Sequence, residues 1–289
     1  MLLNTKELLR IAEENGFTIG AFNVTELSNF KCVFETAERL DAPTIIAVAE
    51  NEFEFCGKDY FRFVIDKLKE SSVPFALHLD HGRSVKMCQR AIQAGFTSVM
   101  IDGSSLSFEE NVELTRQVTE LAHLADVSVE AELGTIGNVG TSDEGVETTE
   151  IIYTQPNQVI EFVEKTNCDL LAVAIGTSHG LYAKGTEPRL QIDLLKKLKK
   201  VSSVPLVLHG GSSNLDEELS KACKEGIRKI NIASEYKAAI SRALNRIMNE
   251  TKEVKFALML PAAIEEGKKV VEHKMRLFDS VDKAKYYRR

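Results

Sequence analysis

The sequence is poor in the features that mark several large protein classes. Five cysteines in 289 residues (Cys32, Cys56, Cys88, Cys168 and Cys223) are odd in number and share no close spacing. That argues against a zinc ribbon, a redox pair or a disulfide framework. Most of them fall inside apolar patterns, where a small buried thiol is the ordinary reading and a reducing cytoplasm fits. Excess positive charge is also missing. Basic residues number 36 against 43 acidic ones, a net charge of −7, which gives no footprint for nucleic acid or an acidic membrane surface. No apolar run approaches the ~18 residues of a spanning helix. The opening Met1-Leu-Leu-Asn-Thr-Lys6 has no basic head before an apolar core, so no signal peptide is expected. What remains is a soluble, cytoplasmic globular chain, long enough for one large domain or two small ones.

What is present is a rhythm. Residues 5–16 have a helical pattern, with Asn4 or Thr5 as cap and Gly16 as stop. Strand-like apolar runs then occupy 18–24, 43–49, 74–81, 98–103, 128–134, 170–176, 204–210 and 227–233. They are mostly continuous, not alternating, as expected when both faces are buried. Between them, Phe30, Val33, Phe34, Ala37 and Leu40 recur at helical spacing, as do Phe61, Val64, Ile65 and Leu68. Gly95 and Gly226 end helices, Pro156 opens one, and Lys196-Lys-Leu-Lys-Lys200 reads as a solvated helix face.

Eight such units predict an α/β fold, a (β/α)8 barrel in which 1–289 form a single domain. An open doubly wound sheet is the alternative, but Phe22-Asn-Val-Thr25 lacks the glycine-rich turn expected after its first strand. Two segments depart from the rhythm. The polar stretch around 135–155 has no helical period and is expected to be a mobile lid or binding loop. A C-terminal helical extension, 251–289, carries Ile264, Val270, Val271 and Met275 on one side, to cap the barrel or meet a second subunit.

In such a barrel the chemistry gathers where the strands end. Three of the six histidines lie at strand tips, each followed by glycine: His81, His179 and His209. Neutral imidazoles suit zinc, and three protein ligands with an open fourth position make a catalytic site. His78, His123 and His273 lie within strand or helix patterns and read as structural. Asp102 and Glu132, also at tips, would orient the histidines from behind or offer a second cation position. Gly210-Gly211-Ser212-Ser213 follows the seventh strand, and Asn231 and Ser234 close the eighth. Small residues there expose backbone N–H groups, and the hydroxyls add donors at helix starts, the usual phosphate position in barrel enzymes. A metal beside a phosphate cradle and an adjacent Asp80 suggests work on a small phosphorylated carbonyl compound. A Schiff-base lysine is the rival route, but Lys229 is expected at the base of the eighth strand, away from the mouth.

These residues resemble the class II, zinc-dependent aldolases. The resemblance rests on Leu77-His-Leu-Asp-His-Gly82, Val129-Glu-Ala-Glu-Leu-Gly134, Ala172-Val-Ala-Ile-Gly176 leading to His179-Gly-Leu-Tyr182, Pro205-Leu-Val-Leu-His-Gly210, Lys229-Ile-Asn-Ile-Ala233 and Lys274-Met-Arg-Leu-Phe278. The branch is the one containing tagatose-bisphosphate and short-type fructose-bisphosphate aldolases. It implies reversible aldol cleavage yielding dihydroxyacetone phosphate, with zinc on His81, His179 and His209 and a monovalent cation (Na+ or K+) nearby. Asp80 would exchange the proton on the C4 oxygen, and Glu144 or its neighbour Asp143 would take the proton from the donor carbon. Substrate contacts would come from Asn23, Gly180, Lys184, Gly210, Gly211, Ser212, Asn231, Ser234 and Lys255. Most family members are dimers or tetramers.

Some positions depart from the family pattern. Bisphosphate-cleaving members carry an Asp-Pro-Arg-like triplet before the final helix, whereas this chain reads Glu253-Val-Lys-Phe256. Lysine gives one compact charge where arginine gives a fork. Arg83 and Ala49 stand where small residues and serine are common. Two other functions fit the same residues: a metal-dependent sugar-phosphate epimerase or isomerase, and a non-catalytic activator subunit.

Overall fold

A computed structural model describes residues 1–139, 151–181 and 188–288. Eight parallel strands close into a barrel: Ile19–Asn23, Thr44–Ala49, Phe75–Gly82, Ser98–Ile101, Ser128–Leu133, Leu170–Val173, Leu206–Leu208 and Ile227–Ile232. The last returns to the first through Ile19↔Lys229 and Ala21↔Asn231. This is the (β/α)8 barrel that the eight apolar runs predict. The sixth and seventh ladders stop short of the expected 176 and 210. Just beyond them Gly176 (φ 117°) and Gly210 (φ 63°) turn the backbone out of the extended region.

Strand side chains alternate between two buried layers. Outward ones such as Phe22, Ile46, Leu77, Leu79, Val99 and Val129 join the main core against the surrounding helices. Inward ones, among them Ile19, Ile45, Ala76, Leu170 and Val207, form a smaller apolar cluster closed by Leu8, Leu9 and Ala12 of the helix Thr5–Asn15. That helix begins at Asn4, whose Oδ1 accepts the Glu7 N–H at 2.9 Å, and ends at Gly16 with φ 72°. Towards the C-terminal mouth the inward positions turn polar. Asn23, His78, Asp80, Glu130, Glu132, Lys229 and Asn231 are all buried.

The helix Phe256–Leu277 lies along Ser234–Thr251 and Leu27–Leu40, burying Ala263, Ile264, Val271 and Met275. Its apolar stripe is therefore covered by the barrel's own helices. Residues 135–155 are not structureless throughout. Gly137–Val139 pairs in parallel with Ser178–Gly180, and Thr135 bridges Ile152. Asp143, Glu144 and Lys184 lie outside the described residues. No described helix is long and apolar enough to cross a membrane.

Candidate active site

One ring nitrogen from each of His81, His179 and His209 lies within 4.8 Å of the other two, and all three rings are buried. His81 belongs to a second such group, with Asp102 and Glu132. Local backbone brings the rings in. In a regular strand Asp80 and His81 would point to opposite faces. Here the register with the fourth strand slips between Leu79 and Gly82, and His81 takes φ 48°. Asp80 keeps the inward face of Ala76 and His78, and the resulting bulge turns His81 into the mouth beside it. Left-handed backbone at a non-glycine residue costs roughly 1–2 kcal/mol, and such strain collects at functional sites. Gly210 serves the next strand end. A Cβ there would sit 2.5 Å from the Ser178 carbonyl oxygen, so only glycine lets the His179 and His209 segments lie this close.

The outer nitrogens of two rings are already engaged. His81 Nδ1 is 2.8 Å from Asp102 Oδ2, and His209 Nε2 is 2.7 Å from Glu130 Oε1. Burial alone would push both carboxyls up. The His81 hydrogen bond and charge outweigh it at Asp102, and Lys229 with the His209 bond brings Glu130 down to about 2. An ionised carboxylate only accepts, so each ring donates from that side. The inner nitrogens, His81 Nε2 and His209 Nδ1, then face one another across 2.8 Å. Two lone pairs at that distance would repel, so the contact needs either a shared proton, which makes the pair of rings cationic, or a metal ion between them. Imidazoles backed by carboxylates are the usual form of metal-binding histidine, and three of them are the donor set of a catalytic zinc. The residues fit such an ion. Glu132 agrees with it: burial, then the neighbouring Asp102, pushes its carboxyl well above the usual range, and its Oε2 is buried with no hydrogen-bond partner.

Asp80 is held at both oxygens. Asn23 Nδ2 donates to Oδ2 at 2.8 Å and Asn231 Nδ2 to Oδ1 at 2.9 Å. Burial opposes its ionisation, but His81, His209 and Lys229 together keep it well below the usual carboxylate range.

The expected phosphate turn is more engaged internally than its small residues suggest. The Gly211 N–H is taken by the Asn231 carbonyl at 3.0 Å and the Ser213 N–H by Glu235 Oε2 at 3.1 Å. Ser212 Oγ accepts the Ala233 N–H at 3.2 Å. Anion contacts from this region therefore narrow to Ser212 and the first turn of the helix Ser234–Thr251. Gly180 sits in the rim strand with φ 97°. Lys255 is exposed at the start of the last helix and makes no hydrogen bond or ion pair with this cluster among the described residues.

The family model for fructose-bisphosphate aldolase class-II matches residues 3–283. The chain belongs to that family. A fructose-bisphosphate aldolase of Staphylococcus epidermidis is 39% identical, over 98% of this chain and 99% of the relative. The D-tagatose-1,6-bisphosphate aldolase subunit GatY of Klebsiella oxytoca is 42% identical, over 86% and 87%. The crystal structure of the YdjI aldolase from Escherichia coli K12 superposes with a TM-score of 0.86 at 33% identity, covering 98% of this chain and 100% of that one. The chain is thus a lyase of class II aldolase type.

One residue of this aldolase needs a different placement from the one its sequence position suggests. Lys229, expected away from the mouth, points inward and reaches Asn231 Oδ1 at 2.7 Å and the Glu130 oxygens at 2.9 and 3.0 Å. Its long stem carries the ammonium up to the layer that supports the site. His78, read as structural, also points inward. Its Nδ1 bonds Ser98 Oγ at 2.8 Å, and burial takes the ring down to about 3, so it is neutral. Sequence reasoning gave no role to Glu130. The available signal was period two: His78, Glu130 and Lys229 each stand two residues before a mouth residue, on the same strand face.

Proposed function

We propose that this aldolase reversibly cleaves a ketose phosphate to dihydroxyacetone phosphate and an aldehyde, with zinc on His81, His179 and His209. The observation that carries this reading is the buried trio of His81, His179 and His209, one ring nitrogen of each within 4.8 Å of the other two, beside the doubly held Asp80. His81, His179 and His209 would hold a zinc ion, which would supply a Lewis acid for the substrate carbonyl. Asp80 moves the proton of the C4 oxygen, its position fixed by Asn23 and Asn231. Asp102 and Glu130 hold the His81 and His209 rings in orientation, and Glu132 offers a further ligand oxygen. Gly180, Ser212, Asn231 and Ser234 hold the phosphate, with Gly210 and Gly211 shaping the turn, Lys184 as a further substrate contact and a monovalent cation (Na+ or K+) alongside. Glu144, or Asp143, takes the proton from the donor carbon. The enzyme works in the cytoplasm as a homodimer or homotetramer.

The names of the relatives point to bisphosphate substrates, while Lys255 supplies no guanidinium fork for a second phosphate. We therefore expect singly phosphorylated ketoses to be cleaved better than fructose 1,6-bisphosphate or tagatose 1,6-bisphosphate. Zinc analysis with a coupled assay for dihydroxyacetone phosphate tests both points. Activity that survives complete zinc removal through a borohydride-trappable lysine adduct would overturn the metal reading. Strong turnover of either bisphosphate would overturn the preference.

A further inference from the structure

We infer that Lys229 is a positioning residue that sets, from beneath the site, both the tautomer of His209 and the amide orientation of Asn231. Its consequence for catalysis rests on the aldolase reading above; its geometry does not. An ammonium has three donors and no acceptor. Lys229 Nζ lies 3.0 and 2.9 Å from the two Glu130 oxygens and 2.7 Å from Asn231 Oδ1, and all three residues are buried.

Both Glu130 oxygens accept from that ammonium, at 3.0 and 2.9 Å, so the carboxylate faces its other neighbours as an acceptor. Glu130 Oε1 then takes its 2.7 Å bond from a protonated His209 Nε2, which makes Nδ1 the acceptor on the side facing His81. The contact with Asn231 decides which amide atom faces which neighbour. Only oxygen is tolerated against the ammonium, so Nδ2 is turned to Asp80 Oδ1 at 2.9 Å. Were the amide reversed, N–H would face an ammonium and a carbonyl oxygen would face a carboxylate, two repulsions between buried groups. One buried charge thus sets two neighbours whose other ends meet the reacting groups. An ion pair that only tied the fifth strand to the eighth would fix neither choice.

The test uses the full-length, zinc-free protein with 15N-labelled histidine at neutral pH. Long-range proton–nitrogen spectra report the tautomer of each ring, and the peak lost in His209→Gln assigns position 209. A single Nε2–H tautomer at His209 is expected; an Nδ1–H form or a mixture overturns the inference. The double variant Lys229→Met/Glu130→Gln removes both charges while keeping shape. It should melt cooperatively, show both His209 tautomers and bind zinc roughly 10–100-fold more weakly in chelator competition. A folded double variant with one tautomer and unchanged zinc affinity would reduce Lys229 to a strand tie. If that variant does not fold, the wild-type spectrum decides alone. A wild type with the Nε2–H tautomer and no ketose-phosphate cleavage would end the aldolase reading and leave this inference standing.

Discussion

Asp80 is buried between two side-chain amides, and each of its oxygens receives one N–H. It is therefore oriented without being neutralised by an ion pair of its own, which suits a group that must give and take a proton. Asp80→Asn keeps the shape and removes the base. Expected is a fall in kcat of about 10²–10⁴-fold with zinc content close to wild type, checked by steady-state kinetics beside metal analysis. Gly210→Ala acts through the backbone instead. Its methyl would meet the Ser178 carbonyl oxygen at 2.5 Å in a residue already at φ 63°, so lower thermal stability and weaker zinc retention are expected together. At this scale the sequence was readable where an ionisable residue interrupts the end of an apolar run: Asp80, His81 and His209 stand out that way. Glu130 and Lys229 do not, because their bond crosses the barrel interior between positions 99 residues apart, and no local pattern encodes it.

Among the elements, the last helix does more than cover apolar surface. Its buried Lys274 lies 3.2 Å from Glu235 Oε2, which accepts the N–H of Ser213, a residue held at φ 59°. The C-terminal helix thereby braces the turn after the seventh strand. Lys274→Met should lower stability by roughly 1.5–3 kcal/mol, the range for hydrogen bonds to charged groups. It should also raise KM for the ketose phosphate more than it lowers kcat, as thermal melts and kinetics would reveal. The helix itself was legible from Ile264, Val271 and Met275. Its partner was not, since an apolar stripe says that something covers it without saying what. The paired rim strands Gly137–Val139 and Ser178–Gly180 were invisible for a simpler reason: three residues are too few to establish a period.

For the molecule as a whole, the metal ligands and the fold stand or fall together. His81 and His209 are 128 positions apart and meet only in the closed barrel, so an ion on them binds the folded state alone. Free zinc at a hundred times its dissociation constant should add about 2.7 kcal/mol. Calorimetry with and without chelator should show a midpoint that climbs with zinc concentration, and activity should vanish on chelation and return with added zinc. The barrel class was fully legible, because eight continuous apolar runs leave few other ways to bury both faces of a strand.

The plug formed by Leu8, Leu9 and Ala12 closes one end of the barrel interior, so among the described residues the reaction chamber opens at the C-terminal ends of the strands. Both fragments of a split sugar must leave by the path their parent used to enter, and in the reverse direction both must arrive through it. Each fragment therefore stands in the other's way, and either product should inhibit cleavage by competing with the parent sugar for the free chamber.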